Sequence, residues 1–177
     1  SICCATYNHE KYIAEAIESF LKQKTDFKIE ILIHDDASTD KTAEIIREYE
    51  KKYPDLIKAI YQQENQYSKK ILINNTFLYP IAKGKYIALC EGDDYWIDQY
   101  KLQKQISYME NHPECTFCFT NAKVVDVKGN KKDRVFIPYE ENNRQYYSGK
   151  NDIYDLGKLA LLGFIPTASF VFSKSIF

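Results

Sequence analysis

Three short clusters of polar and acidic residues each follow an apolar run of the sequence. They are Thr6-Tyr7-Asn8, Asp35-Asp36-Ala37-Ser38 and Glu91-Gly92-Asp93-Asp94. Taken alone, the second cluster is most simply a helix cap, because Asp and Ser are common at helix N-termini. Two acidic pairs change that interpretation, since adjacent carboxylates repel each other unless a cation or several donors offset their charge. Oxygen ligands without Cys or His favour Mg²⁺ or Mn²⁺.

A divalent cation in such a site commonly binds one or two carboxylates together with a substrate phosphate. The sequence has no GxxxxGK[ST] loop and no GxGxxG turn, the two motifs that cradle phosphate with backbone amides. The cation is therefore predicted to hold the phosphate. Asp36, at a different strand end, is predicted to accept hydrogen bonds from a base or a ribose hydroxyl. Tyr7 is a candidate for stacking on the base.

The elements that position these clusters alternate between short β-rich runs and stretches with helical spacing. This alternation predicts βαβ units around a mostly parallel sheet. Strands are predicted at residues 2–6, 29–33, 56–61, 86–90, 115–120 and 169–172. Helices are predicted after a cap at Asn8, after a cap at Ser38 or Asp40, and at residues 71–82, 98–111 and 153–162. Parallel strands place their carboxyl ends at one edge, where open α/β sheets bind ligands.

Length, composition and charge exclude several classes of protein. The chain has 177 residues, 45% of them hydrophobic, which is enough for one cooperative core. Lys and Arg number 24 against 25 Asp and Glu, so no strong field attracts nucleic acid. The longest apolar stretch, residues 159–172, is interrupted by Gly163 and Pro166 and is shorter than the roughly 20 residues of a spanning helix. We expect neither a nucleic-acid partner nor a transmembrane segment.

The five cysteines argue against a disulfide framework, because their number is odd and the chain is large enough to fold without one. A reducing compartment, the cytoplasm, is expected. Cys115 and Cys118 form a CxxC motif within a predicted strand, where residues three apart point to opposite faces. Buried packing is therefore favoured over zinc binding for this pair.

The three clusters together resemble glycosyltransferase family 2, a family with the GT-A fold. The matching segments are Ala5-Thr6-Tyr7-Asn8, residues 33–40 and residues 84–96, in the family's order and spacing over nearly the whole chain. The resemblance implies one GT-A nucleotide-sugar-binding domain over residues 1–177. It implies transfer of a sugar from a nucleotide diphosphate donor, usually a uridine one, with inversion at the anomeric carbon. The expected acceptor is a saccharide or a lipid-linked molecule in bacterial cell-surface polysaccharide synthesis.

The resemblance also implies roles for the residues of the three clusters. By motif position, Thr6, Tyr7 and Asn8 line the nucleoside pocket and Asp36 reads the base. Asp93-Asp94 matches the family's DxD-type pair, in which the last carboxylate binds the metal and the preceding one faces the ribose or the donor sugar. Both Asp94 and Asp93 are therefore expected at the metal. Gly92 replaces the first acid of a literal DxD, which leaves Asp94 as the firmer metal ligand.

Other positions have two interpretations. Lys69, Lys70 and Asn74 fall where the family often has an Arg and an Asn, so they are candidates for phosphate or donor contacts, although a Lys-Lys pair is commonly a solvated loop. Trp96 is either a platform for a sugar ring or packed under a helix. Structural roles are favoured for three further polar residues, namely His9, His34 and His112. Glu91 either faces the site or has a role in the turn.

The general base of an inverting transfer is the part that the motifs do not supply. In the family it lies in a later acidic motif, and residues 165–170 look like the segment shortly before that motif. The base is therefore expected beyond Phe177. The chain is expected to be the donor-binding part of a longer enzyme, in the cytoplasm at the inner face of the membrane.

Two alternatives remain open from the residues. One is a nucleotide-sugar binding module without transfer activity. The other is a receiver-type phospho-acceptor domain, although such domains carry an acidic pair after their first strand and here the pairs follow later strands. Lys128-Gly129-Asn130 predicts a hairpin turn. Residues 131–151 are predicted to be a long polar loop, either a lid that presents Tyr146 and Tyr147 to a sugar or a loose insertion.

Overall fold

The computed structural model describes residues 1–126, 131–135 and 165–176 of the chain. Its strands are β1 (Ile2–Thr6), β2 (Ile31–Asp35), β3 (Ile57–Tyr61), β4 (Tyr86–Leu89), β5 (Phe117–Cys118), β6 (Lys123–Val125), β7 (Lys131–Val135) and β8 (Val171–Ser173). Its α-helices are α1 (Ile13–Leu21), α2 (Thr42–Lys52) and α3 (Lys101–Asn111). Short 3₁₀ turns occur at Tyr67–Lys69, Thr167–Ser169 and Lys174–Ile176.

Six strands form the central sheet in the order β3-β2-β1-β4-β8-β5. Strands β3, β2, β1 and β4 run parallel, and β8 is antiparallel to both β4 and β5. The predicted α/β class with a mostly parallel sheet is confirmed. Because β1 lies between β2 and β4, the loops that follow these three strands are neighbours at one edge of the sheet.

The sheet is buried on both faces, which explains why its inner strands are almost wholly apolar. One face packs against α1 through Ile13, Ala16, Ile17 and Phe20, all fully buried at helical spacing. The other face packs against a second cluster built around Leu32, Leu78, Ile87 and Phe172. These two layers fix the sheet, and with it the positions of the three strand-end clusters.

Two predicted helix starts differ from the structure. Asn8 does not cap α1, which begins five residues later at Ile13; Asn8 instead has φ 55°, in the left-handed region. The prediction of a cap failed because Asn is one of the residues that tolerates this conformation in a turn. Asp40 does bind the first turn of α2, because its Oδ1 accepts a hydrogen bond from the Thr42 amide at 2.9 Å. Strand β2 begins two residues later than predicted, and α3 begins at Lys101 rather than at residue 98.

The predicted helix over residues 71–82 was wrong. Only Asn74–Leu78 is helical, as a short π-helical turn in which the Tyr79 amide donates to the Asn74 carbonyl at 2.8 Å. Pro80 has no amide hydrogen to extend a regular α-helix here, and Asn and Thr are poor helix formers. The segment is therefore a turn that crosses the sheet rather than a full helix.

The predicted long loop over residues 131–151 was wrong for its first five residues. Lys131–Val135 is strand β7, which pairs antiparallel with β6 in a separate two-stranded sheet with an irregular register. This pairing fits the predicted hairpin, and it shows that a polar run can be a strand where pairing satisfies its backbone. Residues 136–151, with Tyr146 and Tyr147, and the predicted helix at residues 153–162 lie outside the described residues.

The last strand of the sheet lies close to its predicted place, at Val171–Ser173 rather than residues 169–172. It inserts between β4 and β5, so the segment from residue 165 onward is part of the core fold. Within the described part of the chain, no helix has the length and apolar character needed to cross a membrane.

Candidate functional site

The three strand-end clusters meet at one edge of the sheet, as the sequence predicts. In register, Thr6 of β1 lies beside Asp35 of β2. The Asp36 amide donates to the Thr6 carbonyl at 3.0 Å, and the Gly92 amide donates to the Ala5 carbonyl at 3.0 Å. Backbone hydrogen bonds thus join the end of β1 to both acidic clusters.

Gly92 allows the third cluster to approach β1 closely. A Cβ atom at this position would lie 2.4 Å from Thr6 Oγ1 and 3.0 Å from His9 Nδ1. Real side-chain carbons do not come that close, so glycine is required by space. The departure from a literal DxD motif therefore has a physical reason, namely that the motif backbone rests directly on the end of β1.

The turn that contains Asp93 and Asp94 carries concentrated negative charge. Loss of hydration, followed by repulsion from Asp93 and Glu91, raises the pKa of Asp94 to about 6. Glu91 is half-buried, and its Oε2 is buried with no hydrogen-bond partner among the residues that the structure describes. The same part of the chain shows no hydrogen bond to the Asp94 carboxylate. This turn is poor in hydrogen-bond donors, and its carboxylates carry negative charge that the described residues do not neutralise.

These residues fit a divalent cation by the chemistry of their donors. Carboxylate oxygens are hard ligands, and a raised carboxylate pKa beside two further acids marks charge that a cation would offset. The described residues contain no group of three or more His, Cys, Asp or Glu arranged to hold a metal alone. Asp94 and Asp93 would therefore supply part of the coordination, and phosphate oxygens and water would supply the rest.

His9 lies between the first and third clusters, a position that the sequence interpretation did not assign to the site. Its Nδ1 is 3.1 Å from Thr6 Oγ1, and its Nε2 is 3.8 Å from Asp93 Oδ2. The backbone amide of His9 donates to Thr42 Oγ1 at 2.8 Å, which fixes the loop to α2. The signal that could have found it is its place two residues after Tyr7 in a strand-end cluster.

Asp36 is buried and already engaged within the chain. Its Oδ1 accepts the Gln66 amide at 2.8 Å, and its Oδ2 accepts the Tyr67 amide at 3.0 Å. The Asp36 carboxylate therefore holds the loop that follows β3 against the end of β2. A base could reach only the remaining lone pairs of these oxygens.

The loops after β1 and β2 are tied to each other by side chains. Asn8 Oδ1 accepts the Thr39 amide at 2.8 Å, and the Asn8 amide donates to Ser38 Oγ at 2.9 Å. Asn8 and Ala37 both have positive φ, of 55° and 61°. Such strained conformations persist where surrounding contacts hold them, and they are common at binding sites.

Thr6 and Tyr7 differ in exposure. Thr6 is buried at the end of β1, with its hydroxyl directed to His9, whereas Tyr7 is 42% exposed at the mouth of the site. An exposed aromatic ring at this edge can present a face to a planar ligand. A second exposed ring, that of Tyr67, follows on the loop that Asp36 holds.

The candidate phosphate residues lie on or after this same loop. Lys69 is exposed and pairs with Glu64, and Lys70 is exposed with φ 62° at the end of the 3₁₀ turn. Asn74 hydrogen-bonds the Tyr79 hydroxyl, while its Oδ1 has no partner in the part of the chain that the structure describes. The pairing with Glu64 already neutralises Lys69.

Trp96 packs in the core rather than facing solvent. It is 8% exposed, its ring lies 4.9 Å from Phe20, and its Nε1 donates to the Ala168 carbonyl at 2.7 Å. Lys101 lies over the indole at 4.4 Å and, with Gln105, donates to the Ser169 carbonyl. Of the two interpretations, these contacts match packing under a helix. They also attach the Thr167–Ser169 turn to Trp96, which lies two residues after Asp94.

The cysteines and the remaining histidines have contacts of their own. All five cysteines are free thiols, and burial raises the pKa of Cys3 to about 12. The CxxC pair has separate contacts, since Cys115 donates to the Phe117 carbonyl and Cys118 accepts from Gln105 Nε2. His34 is buried and stacked on Phe77, and burial lowers its pKa. His112 stacks on Tyr108.

Comparisons with known proteins agree with this geometry. The chain is 41% identical over 176 residues to an uncharacterised protein of Mycobacterium tuberculosis, a match that covers 98% of this chain and 46% of the relative. It is 38% identical over 121 residues to the UDP-Glc:alpha-D-GlcNAc-diphosphoundecaprenol beta-1,3-glucosyltransferase WfaP of Escherichia coli, covering 68% of this chain and 45% of that protein. The chain thus spans about half the length of these curated relatives.

Among solved structures, S. aureus TarS residues 1–349 in complex with UDP is 26% identical to this chain, with a TM-score of 0.57. That match covers 74% of this chain and 37% of TarS. The Pyrobaculum calidifontis mannosyltransferase PcManGT, solved with GDP-Man and Mn²⁺, is 21% identical with a TM-score of 0.56 over 71% of this chain and 35% of its own. This second likeness concerns the fold, which is that of GT-A glycosyltransferases.

The family model described as glycosyl transferase family 2 matches residues 1–177, the full length of the chain. The match therefore includes the edge at which β1, β2 and β4 bring the three clusters together. This chain belongs to glycosyl transferase family 2.

Proposed function

We propose that this chain binds the donor of a glycosyltransferase that moves a sugar from a nucleotide diphosphate sugar, a uridine one, to a saccharide or lipid-linked acceptor. The reaction inverts the anomeric carbon and serves cell-surface polysaccharide synthesis at the cytoplasmic face of the membrane. The donor lies across the carboxyl ends of β1, β2 and β4. The observation that carries the proposal is the acidic turn from Glu91 to Asp94, which is poor in hydrogen-bond donors and lies at the same edge of the sheet as the exposed ring of Tyr7.

Charge explains how this edge would receive a diphosphate. A diphosphate and the three acidic residues of this turn, Glu91, Asp93 and Asp94, repel each other, so the donor binds only with a cation between them. A cation held by Asp94 and Asp93 would neutralise the diphosphate and stabilise it as a leaving group. The chain itself orients the other end of the donor, with Tyr7 against the base and the backbone of Thr6 and Asn8 beside the ribose.

The relatives support the uridine donor and the class of acceptor. The E. coli relative is named for glucosyl transfer from UDP-Glc to a diphosphoundecaprenol-linked sugar. The TarS structure that resembles this chain contains UDP. A second bacterial relative, TuaG of Bacillus subtilis, is named as a putative teichuronic acid biosynthesis glycosyltransferase, 34% identical over 76% of this chain and 50% of its own length.

Titration calorimetry with UDP, GDP and CDP, each with MnCl₂ and with EDTA, tests donor binding. We expect UDP to bind in the presence of Mn²⁺ and to bind far more weakly in EDTA. Asp94→Ala should abolish the Mn²⁺-dependent part of the affinity. Asp36→Ala should weaken UDP binding in EDTA as well, because it releases the loop beside the base. Equal affinity for UDP with MnCl₂ and with EDTA would contradict the proposal, and so would the absence of binding of any nucleotide diphosphate.

Transfer is tested separately from binding. UDP release from UDP-glucose, measured with a lipid-diphosphate acceptor carrying a terminal N-acetylglucosamine, should exceed release without acceptor in the full-length protein. NMR of the product should show the anomeric configuration opposite to that of the donor. Donor binding without acceptor-dependent UDP release would instead favour a nucleotide-sugar binding module.

A further inference from the structure

His9 has the geometry of a residue that orients an acidic side chain of the site. Its imidazole spans the gap between the end of β1 and the turn after β4, with Thr6 Oγ1 at 3.1 Å on one nitrogen and Asp93 Oδ2 at 3.8 Å on the other. Its backbone is held at both sides, since its amide donates to Thr42 and its carbonyl accepts from Tyr12 and Ile13. The ring therefore has a fixed place from which to act on Asp93.

The close approach of Gly92 further restricts the position of the His9 ring. Because a Cβ at Gly92 would lie 3.0 Å from His9 Nδ1, the imidazole rests against the backbone of the acidic turn itself. Asp93 is 52% exposed and has no other ion pair among the described residues, so His9 is the charged or polar ring placed to orient it.

The hydrogen-bonding capacity of the ring favours one arrangement. An ionised carboxylate only accepts hydrogen bonds, so the tautomer that favours this contact carries its hydrogen on Nε2, the nitrogen that faces Asp93. In the neutral ring, Nδ1 then accepts from the Thr6 hydroxyl. At 3.8 Å the contact with Asp93 is an electrostatic one rather than a full hydrogen bond, so the carboxylate oxygens keep lone pairs for a ligand.

We propose that His9 is a positioning residue that holds the Asp93 carboxylate in the orientation used for the donor. The inference rests on the proposed function, because Asp93 has this role only if the edge binds a nucleotide sugar. His9 acts through its Nε2 and not through its contact with Thr6. It belongs to the site although the ring need not touch the donor.

Three substitutions of His9 separate the two ring contacts. Gln places its amide nitrogen near the position of Nε2, Asn places its own near Nδ1, and Ala removes both. With UDP-glucose and MnCl₂ in titration calorimetry, we expect His9→Ala to weaken binding about tenfold. His9→Gln should recover most of the affinity and His9→Asn little of it. Circular dichroism and thermal unfolding of each variant check that the fold is kept.

A double-mutant cycle tests whether His9 acts through Asp93. Asp93→Ala alone should weaken binding at least as much as His9→Ala, and the double variant should be no weaker than Asp93→Ala. The readout includes Mn²⁺ binding without nucleotide, followed by electron paramagnetic resonance, where His9→Ala should lower affinity and His9→Gln restore it.

The outcomes distinguish the inference from the function on which it rests. If the wild-type chain binds no nucleotide sugar, the proposed function fails. If the wild type binds and His9→Asn recovers affinity as well as His9→Gln, the contact with Thr6 is the one that matters and the inference is wrong. Additive losses in the double-mutant cycle would also overturn it.

Discussion

The two acidic pairs of this chain look alike in the sequence and differ in the structure. Asp35-Asp36 follows β2 and is buried, and three backbone amides donate to its carboxylates, those of Ser38, Gln66 and Tyr67. Asp93-Asp94 follows β4 and is exposed, and the pKa of Asp94 is raised to about 6. Both carboxylate oxygens of Asp36 accept backbone amides, although Asp35 Oδ1 is buried with no hydrogen-bond partner among the described residues. The Asp94 carboxylate accepts no hydrogen bond within the same part of the chain, so its charge is available to a ligand.

The difference comes from the backbone that surrounds each pair. Asp36 faces a neighbouring loop whose amides point at it, so its charge holds the chain together. Asp94 faces other acids, so its charge opposes the folded state until a cation arrives. The number of nearby hydrogen-bond donors, rather than the presence of two aspartates, therefore distinguishes Asp36 from Asp94. Four predictions test this distinction, from the largest expected effect to the smallest.

Gly92→Ala should have the largest effect, because it forces the exposed pair away from β1. The added carbon would lie 2.4 Å from Thr6 Oγ1 and 2.6 Å from Thr6 Cβ, so one of the two backbones must move. We expect a loss of about 2 kcal/mol in the free energy of unfolding, within the range for overpacking. The affinity for UDP-glucose and Mn²⁺ should fall by at least a hundredfold.

Gly84→Ala is the matched control at the opposite edge of the sheet. A Cβ there would lie 2.5 Å from the Ser1 nitrogen, a similar clash away from the site. It should cost comparable stability in chemical unfolding and leave donor affinity within about twofold while the chain is folded. Equal losses of affinity in the two variants would mean that Gly92 acts through stability alone.

Asp36→Asn tests whether the buried pair is structural. Asn has one acceptor oxygen where Asp36 has two, so the amide of Gln66 or of Tyr67 would face an NH₂ group and lose its partner. We expect a loss of about 2 kcal/mol in urea unfolding, the usual cost of an unsatisfied buried group. Asp55→Asn, at an exposed aspartate between α2 and β3, should change stability by less than about 0.5 kcal/mol.

The architecture could be predicted from the sequence because burial sets the spacing of the apolar residues within each helix and strand. Strand β1 has its predicted bounds, and the three clusters meet because parallel strands share an edge. It failed where local chemistry allows two outcomes. Asn8 suits a cap and a left-handed turn equally, and the run that ends at Pro80 suited a helix by its spacing but formed a π-helical turn.

The site shows the same division between pattern and contact. The positions of Asp36, Asp93 and Asp94 were predictable, since Asp36 directly follows β2 and the other two lie in the turn after β4. Asp36 accepts hydrogen bonds from the amides of residues 66 and 67, on a loop 30 residues away. No rule based on sequence spacing predicts this contact. The role of His9 likewise depends on how closely Gly92 lets two loops approach. Contacts of this kind are set by tertiary packing and not by local sequence.

Asp94→Asn should have the opposite sign to Asp36→Asn. Removing the charge relieves its loss of hydration and the repulsion from Asp93 and Glu91, so the ligand-free chain should gain about 1 kcal/mol. The value is small because solvent screens an exposed side chain. That gain corresponds to a rise of about 2–4 °C in Tm for a chain of this size. Mn²⁺-dependent binding of UDP-glucose should be lost in the same variant.

Asp98→Asn provides the contrasting control for Asp94→Asn. The Asp98 carboxylate pairs with Lys104 at 2.7 Å and accepts the Tyr100 amide, and these contacts lower its pKa. Neutralising it should therefore slightly lower the Tm. If both variants lower the Tm, the charge of Asp94 is already compensated, and the contrast between the two acidic pairs is wrong.

The smallest expected effect is a pH dependence that belongs to the exposed pair. Because the pKa of Asp94 is raised to about 6 in the folded chain, the folded state holds more protons than the unfolded state between about pH 4 and pH 6. The ligand-free chain should therefore lose stability as the pH rises through this window, and Asp94→Asn should lack that component. Binding should show the opposite trend, since the cation needs the ionised carboxylate, with Mn²⁺-dependent affinity about tenfold weaker at pH 5 than well above pH 6.

The ligand and one variant decide whether that pH dependence comes from Asp94. UDP-glucose is the ligand to use, because the terminal phosphate of UDP titrates near pH 6 itself, as phosphate monoesters do. Histidines also titrate in this range, so the profile is measured in His9→Gln as well, which has no imidazole at that position. If the trend persists in His9→Gln, the carboxylate accounts for it. A profile that is flat in His9→Gln would assign the proton to the imidazole and contradict the raised pKa of Asp94.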